Sequence, residues 1–279
     1  MAMIESADGT KLHVSKWAAS SDAPRVGRAL IVHGLGEHGG RYAHVAELMS
    51  GIGLDVWAYD HRGFGRSEGG RGTIPSRDAL LDDLKIVFDR MYSDVDATGR
   101  PPVLLGHSMG GAIVARAVTG GWVTPSALVL SSPGLASLIG ALMRNAVQML
   151  EYVAPNLAVP HGLPLDKISH DAAVLAQAKS DPLNHQLISP RLTNFILDAG
   201  EKAIRDAGKL VVPTLLQAAG DDGLVDPSGA REFAARAPAG LCTLKVYEGL
   251  WHEIYNEREP DRSAVLADLK DWLLRVALR

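Results

Sequence analysis

The chain has 279 residues, 47% hydrophobic and 22% charged, with a formal net charge of −4. That length can bury a substantial core as one large α/β domain or two modest ones, and the composition excludes disorder. A mildly acidic surface excludes nucleic acid as a partner, and Cys242, the single cysteine, excludes an intramolecular disulfide or a multi-cysteine metal cluster.

The first residues, MAMIESADGT, carry an acidic side chain and no apolar stretch of signal-peptide type, so a cytoplasmic protein is expected. The longest apolar run is broken by Arg144, Asn145, Gln148 and Glu151, well short of the ~20 residues that cross a bilayer. Two short runs flank Asp8-Gly9, a dipeptide that tolerates positive φ, and predict an opening antiparallel hairpin. RALIVHG then reads as an apolar strand. A helix is predicted from Arg41 to Ser50, with Tyr42, Val45, Ala46 and Met49 on one face. LDVWAY is the next strand. Residues 76–93 place Leu80, Leu81, Leu84, Val87, Phe88 and Met91 at helical spacing behind Ser76 as the expected cap. PPVLLG returns to the sheet, AIVARAVTG is helical, and ALVLSS is a further strand.

The alternation stops after ALVLSS, and a connection of this length marks an insertion. Helical pieces are expected around 138–152, 170–178 and 190–206, separated by Pro155, Pro160, Pro164 and Pro182. The rhythm resumes with VPTLLQAAG, a helix from Pro227 to Ala237, the strand CTLKVYEG and a closing helix over 261–277. Short β-rich runs alternating with helices predict an α/β fold with a mostly parallel central sheet flanked by helices. The expected division is a core of 1–136 and 206–279 with a helical cap over 137–205. Cys242 falls in an alternating strand and reads as a packed thiol.

GHSMGG, residues 106–111, fits G-x-S-x-G between a strand and a helix. Glycines at 106 and 110 let strand and helix approach while Ser108 is held on a strained turn at the sheet edge. The helix that starts at Met109 directs free N–H groups and its positive end toward that hydroxyl. A serine nucleophile needs a general base, and the base needs a carboxylate that fixes its tautomer. In this kind of fold the acid and then the histidine follow the serine, each beyond the end of a later strand. Of ten histidines, only His252, in YEGLWHE after the last strand, occupies that place. His13, His44, His161, His170 and His185 fall on surface or inserted segments and read as solvated or packing residues.

QAAGDDGLVDP offers Asp221, Asp222 and Asp226. Asp226 precedes Pro227 and reads as a helix cap. Asp222 is favoured because it lies one step beyond the turn, with Asp221 as the fallback. Oxyanion donors are expected from the backbone N–H groups of Met109 and, in the loop opening with His33-Gly34, of Leu35. His33 and His38 are five apart among glycines, which does not suit a zinc-binding helix face. GFGRSEGG has Glu68 where the dinucleotide fingerprint needs its third glycine. No cofactor or metal is expected.

HGLGEHGGRY, DHRGFGRSEGGRG, GHSMGG, SDPL at 180–183, GDDGLVDP and YEGLWHEIYNE, taken in order, resemble the monoacylglycerol lipase and lysophospholipase branch of the α/β-hydrolases over nearly the whole chain. The resemblance implies Asp222 as the acid, by alignment on D-x-L-x-D, the Leu35 and Met109 amides as the oxyanion hole, and residues 137–205 as the cap. Phe64 departs from the family's usual histidine in G-H-G, with loop packing the expected consequence. The implied activity is ester hydrolysis of monoacylglycerols through an acyl-enzyme. Lysophospholipids or general carboxylic esters are the alternatives within that chemistry. A cofactor-free peroxidase and a non-catalytic ligand receptor are the alternatives of other classes. The apolar run LIGALMRNAVQMLEYVAPNLAV suits a lid for acyl chains or a peripheral membrane contact through the cap, equally weighed against simple packing on the core. Oligomeric state is not encoded in any of these motifs.

Overall fold

The computed structural model describes residues 2–22, 24–93 and 99–277. The strands in chain order are β1 (Ala2–Glu5), β2 (Lys11–Trp17), β3 (Gly27–Val32), β4 (Leu54–Tyr59), β5 (Val103–His107), β6 (Leu128–Ser131), β7 (Val159–Pro160), β8 (Leu187–Ile188), β9 (Thr214–Ala219) and β10 (Cys242–Tyr247). The helices are α1 (Ala43–Gly51), α2 (Ala79–Ser93), α3 (Met109–Thr119), α4 (Ala141–Val153), α5 (Ala172–Ser180), α6 (Pro190–Arg205), α7 (Ser228–Arg236) and α8 (Asp261–Trp272). Eight strands form one sheet in the order β1-β2-β4-β3-β5-β6-β9-β10, parallel from β4 to β10, with β2 antiparallel to both of its neighbours.

The central strands are buried on both faces, as their continuous apolar runs require. Leu30, Val32 and Leu104 point into one core, with α2, α3, α6 and α7. Ala29, Ile31, Val103 and Leu105 point into the other, with α1 and α8. Tyr42, Val45, Ala46 and Met49 are all buried, so the helical spacing seen in the sequence is the core face of α1.

Three local expectations shift. The opening hairpin is not a two-residue turn: Ser6 N–H donates to Thr10 O across it, and Gly9 takes a φ of 85°. α2 begins at Ala79, not Ser76, because the Asp78 carbonyl closes its first turn by accepting from Asp82 N–H, while Arg77 reaches out to Glu151 and Asp198. His13 is not a surface residue: β2 lies beneath the loop after β4, where His13 N–H donates to Ser67 Oγ and its ring lies 3.3 Å from Asp60. Cys242 is half-buried on β10, and burial pushes its thiol up to about 11, the behaviour of a packed thiol.

Between β6 and β9 the chain carries α4, α5, α6 and the two-stranded β7–β8 ladder. α6 joins the core through Leu192, Phe195, Ala199 and Ala203. α4 buries no residue at all; Arg144 and Glu151 bind Glu201, Asn194 and Arg77, while Leu142 and Tyr152 stand 87% and 86% exposed. No helix among the described residues is long and apolar enough to cross a membrane.

Candidate active site

The strand-to-helix turn after β5 is set by glycines. A Cβ on Gly106 would lie 2.5 Å from the Gly110 carbonyl oxygen, and one on Gly110 would collide with the Val32 and His33 carbonyls. With β5 and α3 this close, Ser108 takes φ 53° and ψ −120°, a conformation that L-residues rarely adopt and that costs about 1–3 kcal/mol. The strain holds its hydroxyl up at the carboxyl edge of the sheet.

The loops after β9 and β10 meet that edge. His252 Nε2 lies 2.8 Å from Ser108 Oγ, and His252 Nδ1 lies 2.7 Å from Asp222 Oδ2. Asp222 Oδ1 accepts from Leu224 N–H at 2.8 Å and Val225 N–H at 3.1 Å, which fixes the carboxylate plane. Asp221 is exposed; the N-cap of α7 is Pro227 and not Asp226, which lies one residue earlier and accepts from Ser228 N–H.

Burial alone would push the Asp222 carboxyl up; the charge and hydrogen bond of His252, with the two amides, outweigh it and hold the group below the ordinary range. For His252, burial alone would lower its pKa, but Asp222 first, then Glu253 and Glu37, raise it above its usual value. His107, whose ring centroid lies 4.8 Å from that of His252, is pushed down to about 4 by burial and by His252, so it stays neutral beside it.

The β3 loop forms the opposite wall. His33 Nδ1–H donates to Gly34 O at 2.7 Å, and its Nε2 accepts from His61 N–H at 2.9 Å, so this ring staples two loops together. His38 instead contacts Asp181 at 2.9 Å, so the two histidines serve different partners. The amides of Leu35 and Met109 have no hydrogen-bond acceptor among the described residues, and both residues line a cavity with Ser108. Among the described residues no cluster of His, Cys, Asp or Glu is arranged to hold a metal ion. Phe64 is fully buried and stacks on His185 with centroids 4.7 Å apart, a packing contact between the β4 loop and the insertion.

Sequence reasoning passed over one feature. Glu37 accepts from Gly34 N–H at 2.6 Å and Tyr42 O–H at 2.6 Å, and binds Arg41. Arg41 also grips Glu253 through two bonds of 2.7 Å. Burial opposes ionisation of Glu37, but Arg41 and its neighbours bring its pKa down to about 2, so it is fully charged. One buried ion-pair chain thus ties the Gly34–Leu35 loop to the residue next to His252. The four-residue spacing of Glu37 and Arg41 was the available signal; their link to Glu253, across 212 positions, was not.

Two cavities meet at Ser108. One, of about 380 Å³, is mainly apolar and runs beneath the insertion past Leu135, Ile188, Ile196 and Leu197. The other, of about 120 Å³, is bordered by Glu37, Arg41, Lys179, Asn184 and Glu253.

The family described as "Serine aminopeptidase, S33" (Hydrolase_4) matches residues 23–259. A monoacylglycerol lipase from Mycolicibacterium smegmatis is 32% identical over 269 residues, covering 95% of this chain and 94% of that protein. The crystal structure of a Paleococcus ferrophilus monoacylglycerol lipase superposes with a TM-score of 0.85 at 29% identity, covering 94% of this chain and 98% of that one. A soluble variant of monoglyceride lipase from Saccharomyces cerevisiae, in complex with a substrate analogue, gives a TM-score of 0.87 at 26% identity over 96% and 93% of the two chains. The chain belongs to the S33 serine aminopeptidase (Hydrolase_4) family, in the monoacylglycerol lipase branch of the α/β-hydrolases.

Proposed function

We propose that this protein is a carboxylic ester hydrolase that cleaves monoacylglycerols to fatty acid and glycerol through an acyl-enzyme on Ser108. The observation that carries this reading is the unbroken line of hydrogen bonds from Asp222 through His252 to Ser108 where a mainly apolar cavity meets a smaller one bordered by charged side chains. His252 holds its proton on Nδ1, donated to Asp222, and its free Nε2 takes the Ser108 proton as Oγ attacks the acyl carbonyl. The tetrahedral oxyanion is met by the Leu35 and Met109 amides, each worth about 3 kcal/mol in the barrier. His252 then protonates the departing glycerol oxygen, and a water activated the same way releases the fatty acid.

The acyl chain occupies the larger cavity, whose volume falls within the ~300–1,000 Å³ range of ligand sites. Glycerol fits the smaller one, whose border includes Glu37, Arg41, Asn184 and Glu253. A phosphodiester leaving group is less well matched there, since Glu37, Glu253 and Asp181 outnumber Arg41 and Lys179, and Arg41 is already engaged by two carboxylates. Residues 137–205 act as the cap over a core of 1–136 and 206–279, with α6 as the cap's floor. α4 lies with its ion pairs inward and its apolar side chains outward, which suits a helix that rests on a lipid surface.

The test is fluorophosphonate labelling of wild type and Ser108→Ala, followed by hydrolysis of monoacylglycerol and lysophosphatidylcholine of equal chain length. Labelling and glyceride turnover that both vanish in Ser108→Ala support the reading. Labelling that persists in Ser108→Ala, or turnover of the lysophospholipid alone, overturns it.

A further inference from the structure

One end of the β7–β8 ladder, where β7 ends and β8 begins, carries the same local device beside both strands. Leu163 N–H donates to His161 Nδ1 at 3.0 Å, and Leu187 N–H donates to His185 Nδ1 at 3.1 Å. A backbone N–H can only donate, so both Nδ1 atoms are unprotonated and each neutral ring carries its proton on Nε2. His185 directs its Nε2–H to the Gly63 carbonyl at 3.0 Å. His161 has no such acceptor among the described residues. Its backbone is pinned as well, with His161 N–H donating to Gln186 O at 2.7 Å.

The ring that carries this N–H lies on the cavities of the candidate site. His161 borders both cavities that meet at Ser108. Its Nε2 edge lies against Gly36, where an added Cβ would stand 3.5 Å from that atom, and Gly36 lines the smaller cavity only. Burial and the neighbouring His185 lower the pKa of His161, so it offers a neutral donor and not a cation. A neutral donor suits a hydroxyl oxygen better than a phosphate.

We propose that His161 is a specificity-determining residue whose Nε2–H donates to a hydroxyl oxygen of the alcohol half of the ester, selecting polyol over simple alkyl leaving groups. This deepens the function proposed above and rests on it. The experiment compares kcat/KM for a 1-monoacylglycerol and for the methyl ester of the same acid, in wild type, His161→Phe and His161→Gln. In His161→Phe the glyceride loses about tenfold, the size of one hydrogen bond, while the methyl ester is unchanged. His161→Gln, which keeps an N–H donor, recovers part of the glyceride rate. Fluorophosphonate labelling of Ser108 at the wild-type rate marks a folded, intact site; if His161→Phe does not label, His161→Ala carries the same comparison.

Equal losses on both esters would assign His161 to the oxyanion or to structure, and no loss on either would leave it without a role; both outcomes overturn the proposal. Failure of the underlying reading is seen separately, in wild type, as turnover of the methyl ester without the glyceride.

Discussion

At the residue scale, Asp221 and Asp222 differ by one position and by everything physical. Asp221 points to solvent, whereas Asp222 is buried against His252 with both oxygens engaged. Asp222→Asn is therefore expected to lower kcat on a soluble p-nitrophenyl ester by ~10⁴, because the amide favours the wrong imidazole tautomer. Asp221→Asn should stay within about twofold, as a surface substitution away from the reacting groups. The base proposed above, His252, also predicts the pH dependence. In that role His252 has to be neutral, and Asp222, Glu253 and Glu37 raise its pKa above 6.5. kcat/KM is thus lost as pH falls through that raised pKa, by about tenfold per unit below it, and reaches a plateau above it. In the residual activity of Asp222→Asn, the acid limb should move to lower pH. An unchanged limb would show that another group controls it.

At the element scale, the site depends on loops held by the ends of β3, β5, β9 and β10, and Arg41 connects two of them. Its guanidinium lies between Glu37 and Glu253, with side chains 10%, 7% and 9% exposed. Arg41→Met would leave two carboxylates buried and uncompensated, and a loss of about 3–5 kcal/mol in urea unfolding is expected. Activity should fall more in kcat than in KM, since the Leu35 amide and His252 shift while the acyl cavity remains. The helices were readable because their apolar positions recur every three or four residues. The start of α2 was not, because Arg77 is drawn toward α4 and α6, elements remote in the chain. Of the two roles open to His13, packing holds and solvation does not, again through remote partners: the loop after β4 covers it.

At the scale of the whole molecule, α4 is an amphipathic helix turned outward. Its charges bind α6 and Arg77, leaving Leu142, Tyr152 and Val153 in solvent, with Val153 80% exposed. Each large apolar side chain buried in lipid contributes ~1.5–3 kcal/mol. Leu142→Asp with Tyr152→Ser should therefore lower sedimentation with zwitterionic vesicles by at least about tenfold. Turnover of a monomeric short-chain ester should be unchanged. Because Arg144 and Glu151 are both paired, vesicle binding should respond little to added salt. Strong salt sensitivity would point instead to an electrostatic contact.

The sequence by itself determined the parallel sheet, the strained serine turn and the order of the loops that follow, because each rests on local periodicity, glycine sterics and chain order. Only the tertiary structure decided which carboxylate faces His252, how Glu37, Arg41 and Glu253 join two loops, and that His161 lines the cavities at Ser108 with no acceptor for its Nε2–H among the described residues. Those outcomes are set by partners distant in the chain, by burial and by the direction of single hydrogen bonds, none of which local pattern encodes.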